Sequence, residues 1–268
     1  MEVFNVNEIL IVDNLNKTFK LNKKRKQKNN ENSVKVAVEN LNFTSYAGEI
    51  FGLLGPNGAG KTTTMRMLAT LIKPNSGDAI IDGVSITKNP NKVRSKIGFL
   101  TSELRLDDYF TPDYLFDFFS GLYGIEKNIS IKRKNYLFEH FGISEFSDVK
   151  IANLSQGMKQ KISLVISIVH DPSFIIFDEP TNGLDIITAR TVTDFLLELK
   201  NQGKSIIVST HIFSLIEKIC DRVGIIIDGK MVACDKLTSM TESKCLEDVF
   251  FETYDKIMGT GEISYDNV

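Results

Sequence analysis

The chain has 268 residues, 42% hydrophobic and 25% charged, with a formal net charge of −2. That composition supplies ample apolar material for one large domain or two small ones, and it excludes a global charge that would draw the chain to polyanions. Three cysteines, Cys220, Cys234 and Cys245, form no close metal-ligand or redox pair, which suits a reducing compartment better than a disulfide framework.

Residues 1–14 carry acids and no basic region before their apolar positions, unlike a secretory signal. No uninterrupted apolar run approaches the ~20 residues of a membrane-spanning helix. The chain is therefore expected to be soluble and cytosolic, reaching a membrane only through a partner. Short strands are predicted at residues 9–12 and 34–38, separated by LNKKRKQKNNENS. With Lys20 before it, this separator is basic through Lys23, Lys24, Arg25, Lys26 and Lys28. It reads as a solvated hairpin-like loop, or as a contact for anionic headgroups or an acidic partner surface.

GEIFGLLGPNGAGKTTTMRMLATLI then supplies an apolar strand, a glycine-rich turn and a helix that stops before Lys73 and Pro74. In DAIIDGVSI, Asp82 and Gly83 mark a tight turn between two short strands. From about 111 to 167, apolar residues recur at helical spacing, which predicts a helical insertion. Strand character returns in SFIIFDE, SIIVSTH and RVGIIIDGKMV. Strands alternating with helices about such continuous apolar runs predict an α/β fold with a largely parallel, covered sheet. The tail after Asp235 is acidic, helical around CLEDVFFETY and polar at its end.

Residues 55–62, GPNGAGKT, match the phosphate-loop pattern and stand between a strand and a helix. The glycines let successive backbone N–H groups turn toward phosphate oxygens, and the helix start adds its positive dipole end. Lys61 is placed to reach the terminal phosphates and Thr62 to ligate Mg2+. The strand FIIF ends in Asp178 and Glu179, where ligands of open α/β sheets bind. Asp178 is the candidate for holding Mg2+ through its water shell, and Glu179 for polarising the attacking water. His211 follows the strand SIIVST, a position that suits a γ-phosphate contact as well as an ordinary surface role.

Residues 154–160, LSQGMKQ, lead the helix pattern KQKISLVISIV. This segment resembles the signature motif of the ABC ATPases, LSGGQ in its common form. The phosphate loop, DEPTNGLD and STH accompany it in the family's order, over roughly residues 8–235. On these four motifs the sequence is identified as a member of that family. The resemblance implies a P-loop ABC ATPase fold: a mostly parallel core sheet, an antiparallel β subdomain and a helical subdomain at about 104–165. These make up a nucleotide-binding domain at 1–235, followed by a partly helical tail at 236–268.

The same resemblance implies an Mg2+-dependent ATPase whose loop residues Asn57, Gly58, Ala59, Gly60, Lys61, Thr62 and Thr63 cradle the phosphates. Lys61, Glu179 and His211 are its implied catalytic groups, and Thr62 and Asp178 its metal ligands. Two such domains are expected to pair head to tail, a second copy of this chain being the expected partner. Ser155 and Gly157 of one copy would then meet the γ-phosphate held by the other, and Asp185 would link the two sites. Phe19 matches the aromatic that stacks on adenine; simple core packing is the alternative reading.

Two departures from the family pattern stand out. Gln156 and Met158 occupy positions that are Gly and Gln in the common signature, while Ser155 and Gly157 remain. In IGFLTSEL, Ser102 stands where most members have a glutamine that touches Mg2+ and the attacking water. Serine is shorter, which leaves Glu103 or a water to take that contact. The loop sequence around it and the tail LEDVFFETY look most like ATP-binding subunits of sodium-extrusion exporters. The implied assembly is an exporter in which a transmembrane permease subunit holds this chain at the inner face of the cell membrane. The aromatic stretch 109–123 reads as part of the docking groove for that permease, or as internal packing of the helical subdomain. Export of an antibiotic, lipid or polysaccharide is the alternative, as is a soluble ABC ATPase without a membrane partner, or a module that binds ATP without hydrolysing it. No nucleic-acid partner is expected.

Overall fold

A computed structural model describes residues 8–20, 34–101 and 106–259. Two sheets carry the fold. Strands β1 (Glu8–Lys20), β2 (Val34–Tyr46), β4 (Ser76–Ile81) and β5 (Val84–Ser85) form an antiparallel sheet in the order β2-β1-β4-β5. The core sheet contains β3 (Ile50–Leu54), β6 (Ile97–Thr101), β7 (Phe174–Asp178), β8 (Ser205–Thr210), β9 (Arg222–Ile227) and β10 (Lys230–Lys236). Its order is β10-β9-β3-β8-β7-β6, all parallel except β10, which returns antiparallel to β9.

The core strands are continuous apolar runs because both their faces are covered. Successive side chains alternate between two hydrophobic clusters, as the strand period of two requires. On β7, Ile175 and Phe177 enter one cluster while Phe174 and Ile176 enter the other. The first cluster holds the helices α5 (Gln156–Ser167), α6 (Ile186–Asn201) and α7 (Phe213–Ile219). The second joins the core sheet to α1 (Lys61–Leu68) and to the antiparallel sheet, where the Phe43 and Phe51 rings stack with centroids 5.0 Å apart.

After the short α2 (Pro90–Arg94), the predicted helical insertion is realised as α3 (Pro112–Leu122), α4 (Lys127–Phe141) and α5. Thr111 caps α3 by accepting the Tyr114 N–H, and Pro112 opens the helix, where its missing N–H costs nothing. Its aromatic face divides: Leu115 and Phe116 are buried, whereas Tyr114, Phe118 and Leu122 stay exposed. Beyond the short α8 (Leu237–Met240), the tail helix α9 (Leu246–Met258) sends Leu246 and Phe250 into the same core as the parallel sheet. Among the described residues, no helix is long and apolar enough to cross a membrane.

Phe51 is fully buried at the junction of the two sheets. Replacing it by Ala leaves a cavity there, and the expected cost is about 3–5 kcal/mol. Urea unfolding monitored by circular dichroism checks this; a cost below ~1 kcal/mol would show that the sheets are not held together at this ring.

Candidate active site

In the core sheet Leu54 of β3 lies in register with Thr210 of β8, and Ser209 of β8 with Asp178 of β7. The segments that begin at Gly55, Glu179 and His211 therefore open side by side at the carboxyl edge of the sheet. That edge is the ligand-binding side of open parallel sheets.

The loop 55–62 turns through left-handed backbone at Gly58 (φ 87°) and Gly60 (φ 105°), where a side chain is strained. Gly60 has a second requirement, because a Cβ there would stand 2.4 Å from the Ala37 carbonyl oxygen on β2. On the other side the Gly229 N–H, from the β9–β10 turn, donates to the Ala59 carbonyl at 2.9 Å. The loop is thus braced from both sheets and delivers the uncapped N-terminus of α1, with its outward N–H groups, to the cleft.

Lys61 is only 5% exposed. Its Nζ donates to the Gly55 carbonyl at 2.6 Å and the Pro56 carbonyl at 3.2 Å, and lies 3.7 Å from Glu179 Oε1. Burial pulls its pKa below the ordinary lysine value, while the Glu179 and Asp178 carboxylates push it back up. Thr62 Oγ1 donates to Asp178 Oδ1 at 3.3 Å, and the Ser209 hydroxyl donates to the same oxygen. A hydroxyl meeting a buried carboxylate is a hard-oxygen donor set, which fits Mg2+ when phosphates and waters supply its remaining ligands. Among the described residues no cluster of three or more His, Cys, Asp or Glu could hold a metal on protein ligands alone.

Glu179 sits just beyond β7 at φ 55°, with its amide donating to the Ser209 carbonyl at 3.0 Å. Its Oε1 accepts from His211 Nδ1 at 3.1 Å, while its buried Oε2 has no hydrogen-bond partner. Leaving a buried acceptor open costs roughly 1–3 kcal/mol, so this oxygen is an attractive seat for a donor such as water.

A cleft of about 470 Å3 brings together Asn57, Gly58, Gly60, Lys61, Thr62 and Thr63 with Glu179 and His211. Phe19, at the end of β1, lines the same cleft and is 42% exposed, so its ring is available rather than consumed by core packing. Ala59 is buried beneath the loop and Asp178 beneath Thr62. Ser155, Gly157 and Asp185 are not among the residues lining this cleft. Ser155 is exposed and caps α5 by accepting the Met158 N–H at 3.3 Å. Asp185 caps α6, accepting the Ile187 and Thr188 N–H groups at 3.0 Å and the Thr188 hydroxyl at 2.7 Å. The Thr188 bonds lower its pKa. A Cβ on Gly157 would stand 3.7 Å from Asp185 Oδ2, so the starts of α5 and α6 adjoin. Ile186 and Ile187 beside them are 89% and 80% exposed, an apolar pair with no cover in the single chain.

Sequence reading does not single out Ser209, Asn182, Lys35 or Ala37, all of which the fold brings to the site. Asn182 and Ser209 lie within DEPTNGLD and STH, and Ser209 is in addition a small polar residue inside an apolar strand. Ser102, Glu103 and the basic run from Lys23 to Lys28 lie outside the described residues.

A glycine-rich loop at a helix start, a buried lysine and a strand-end carboxylate pair beside a hydroxyl define a nucleoside-triphosphate-binding P-loop protein. The family described as "ABC transporter" matches residues 38–182. The ABC transporter ATP-binding protein NatA of Bacillus subtilis is 35% identical over 223 residues, 83% of this chain and 91% of that protein. The Nod factor export ATP-binding protein I of Burkholderia lata is 34% identical over 210 residues, 78% of this chain and 69% of that one. A bacterial ABC transporter cassette solved as a dimer superposes with a TM-score of 0.74 at 25% identity, covering 85% of this chain and 98% of that chain. The chain belongs to the ABC transporter family, as one of its ATP-binding, ATP-hydrolysing cassettes.

Ser209→Ala removes one of the two hydroxyls that donate to the buried Asp178 carboxylate. The expected loss is about 1.5–3 kcal/mol of stability at neutral pH, read by urea unfolding. A variant as stable as the parent would mean that Thr62 and water satisfy Asp178 without it.

Proposed function

We propose that this chain is the ATP-hydrolysing subunit of an exporter, working in pairs beneath a separate transmembrane permease, with Na+ as the cargo. The observation that carries the reading is the convergence of Lys61, the Thr62–Asp178 contact and the Glu179–His211 contact on one cleft. In this reading residues 1–235 form the cassette and 236–268 a tail whose helix packs against it.

The chemistry follows from the groups. The N–H groups of residues 57–63 and the α1 dipole hold the β- and γ-phosphates, and Lys61 neutralises their charge at the end of a short, buried tether. Thr62 Oγ1 and, through its water shell, Asp178 would hold Mg2+, which when bound supplies positive charge to the phosphate oxygens. Glu179 Oε2 accepts a proton from the attacking water, with that acceptor left free because His211 occupies Oε1. His211 Nε2, on the far side of the ring, can donate to a γ-phosphate oxygen when the ring carries protons on both nitrogens, so that Nδ1 keeps its bond to Glu179. Phe19 offers the adenine ring a π-face.

Ser155 and Gly157 act on the nucleotide of the other copy. The exposure of Ser155, the separation of both residues from the cleft and the uncovered Ile186–Ile187 pair all favour a second chain seated on this face. The exposed aromatic face of α3 (Tyr114, Phe118) is the surface assigned to the permease. The export direction draws on the relative named for Nod factor export, and the cargo on the loop and tail sequences alone.

Glu179→Gln should lower ATP turnover by about 10²–10⁴-fold, the usual worth of a general base. It should also elute as a dimer when ATP is present. Turnover close to the parent's, with no ATP-dependent dimer, would remove Glu179 from the role given to it here. For the cargo, everted membrane vesicles carrying this chain and its permease should accumulate Na+ when given ATP. ATP turnover that ignores Na+ but rises with an organic solute would reassign it.

A further inference from the structure

We infer that Phe250, on α9, is a positioning residue for His211, acting through Phe213, and so ties the C-terminal helix to the hydrolytic contact. The inference rests on the roles given above to Glu179 and His211. His211 lines two spaces. One is the nucleotide cleft; the other is an apolar cavity of about 350 Å3, walled by Phe213, Phe250, Phe251 and Tyr254 and by Gly55 and Pro56 of the phosphate loop. The imidazole therefore stands between the reacting groups and the aromatic face of the tail helix.

The contact with Glu179 depends on ring orientation. A carboxylate only accepts hydrogen bonds, so at 3.1 Å His211 Nδ1 must carry a proton. A neutral imidazole free in water favours the proton on Nε2 instead, so this tautomer persists only while the ring is held toward Glu179. Ile212 N–H donates to Thr210 Oγ1 at 3.1 Å, and α7 begins at Phe213, which fixes the short backbone path from His211 to that ring.

Phe213 is held in turn by α9. Its ring meets Phe250 edge-on, with centroids 5.4 Å apart, and Phe250 packs on Tyr254 at 6.0 Å. Phe251 also meets Phe213, at the longer distance of 6.2 Å, but is 49% exposed, whereas Phe250 is buried, so Phe250 is the ring that transmits position. α9 is fastened to α7 independently: the Leu246 N–H donates to Glu217 Oε1 at 3.0 Å and the Leu246 side chain is fully buried. Removing the Phe250 ring should leave α9 attached and free Phe213 to shift.

The test uses the full chain labelled with 15N-histidine; its three histidines keep the spectrum simple. At mildly alkaline pH the parent should show His211 with its proton on Nδ1, and Phe250→Ala should move it to Nε2. His170, whose Nε2 lies 2.9 Å from the Ile97 carbonyl, should keep its signal and report an intact core. If that signal is lost, Phe250→Leu takes the place of the alanine variant, since it keeps most of the buried volume without the ring. Turnover measured alongside should fall several-fold without a rise in KM, and Phe250→Ala should add nothing to His211→Ala in the double variant. An unchanged His211 tautomer in a folded variant, or additive losses in the double variant, overturns the inference. Full turnover in His211→Ala sinks the role of His211 and this inference with it. Loss of turnover there, with Phe250→Ala unaltered in tautomer and rate, sinks this inference alone.

Discussion

Everything at the nucleotide edge answers to one buried positive charge. An ammonium withdrawn from water is costly unless carbonyls and carboxylates replace the lost hydration. For Lys61 they do, through the carbonyls of Gly55 and Pro56 and the carboxylate of Glu179. Those groups come from the ends of β3 and β7, two strands far apart in sequence that meet only because β8 lies between them. The sheet order is thus a condition for burying the lysine, and a bound triphosphate would meet a charge already oriented. The same arrangement explains why Gly60 must be glycine: the loop runs so close to β2 that a Cβ there would stand 2.4 Å from the Ala37 carbonyl oxygen.

Much of this was legible in the chain because the chemistry is local there. The phosphate loop is contiguous, so its turn, its lysine and its helix start are read together. Asp178 and Glu179 are legible because they interrupt a run of apolar residues at the point where a covered strand must end. The core strands are equally plain, since burial on both faces leaves them as nearly continuous apolar runs. The edge sheet was less so: strands expected at 9–12 and 34–38 run from Glu8 to Lys20 and from Val34 to Tyr46. Asn14 and Asn40 take left-handed backbone inside them, and the register shifts there break the alternation that sequence reading relies on. The side chains of Asn16 and Asn42 then bond the backbone of Asn14 and Asn40 and keep the strands paired.

What the sequence hides is spatial convergence. Ser209 reaches Asp178 only through the β7–β8 register, and Lys35 and Ala37 reach the cleft from a different sheet. The aromatic residues of α9 read as an ordinary amphipathic tail, and only the fold lays them against the phosphate loop and His211. Conversely, Ser155 and Gly157 read as site residues, yet one chain keeps them out of its own cleft. Their helix start adjoins Asp185 and the uncovered Ile186 and Ile187, so that face has both the polar groups and the apolar area of an unmet contact.

In the proposed pair a working site is divided between two copies, with the phosphate loop from one and Ser155 from the other. Mixing two inactive variants, Lys61→Ala and Ser155→Arg, measures this directly. In a head-to-tail pair of the two, both defects fall in one site and the second site is intact. ATP turnover should therefore reappear in the mixture although each variant alone is inactive. A mixture as inactive as its components would rule out the divided site and place the complete site within a single chain.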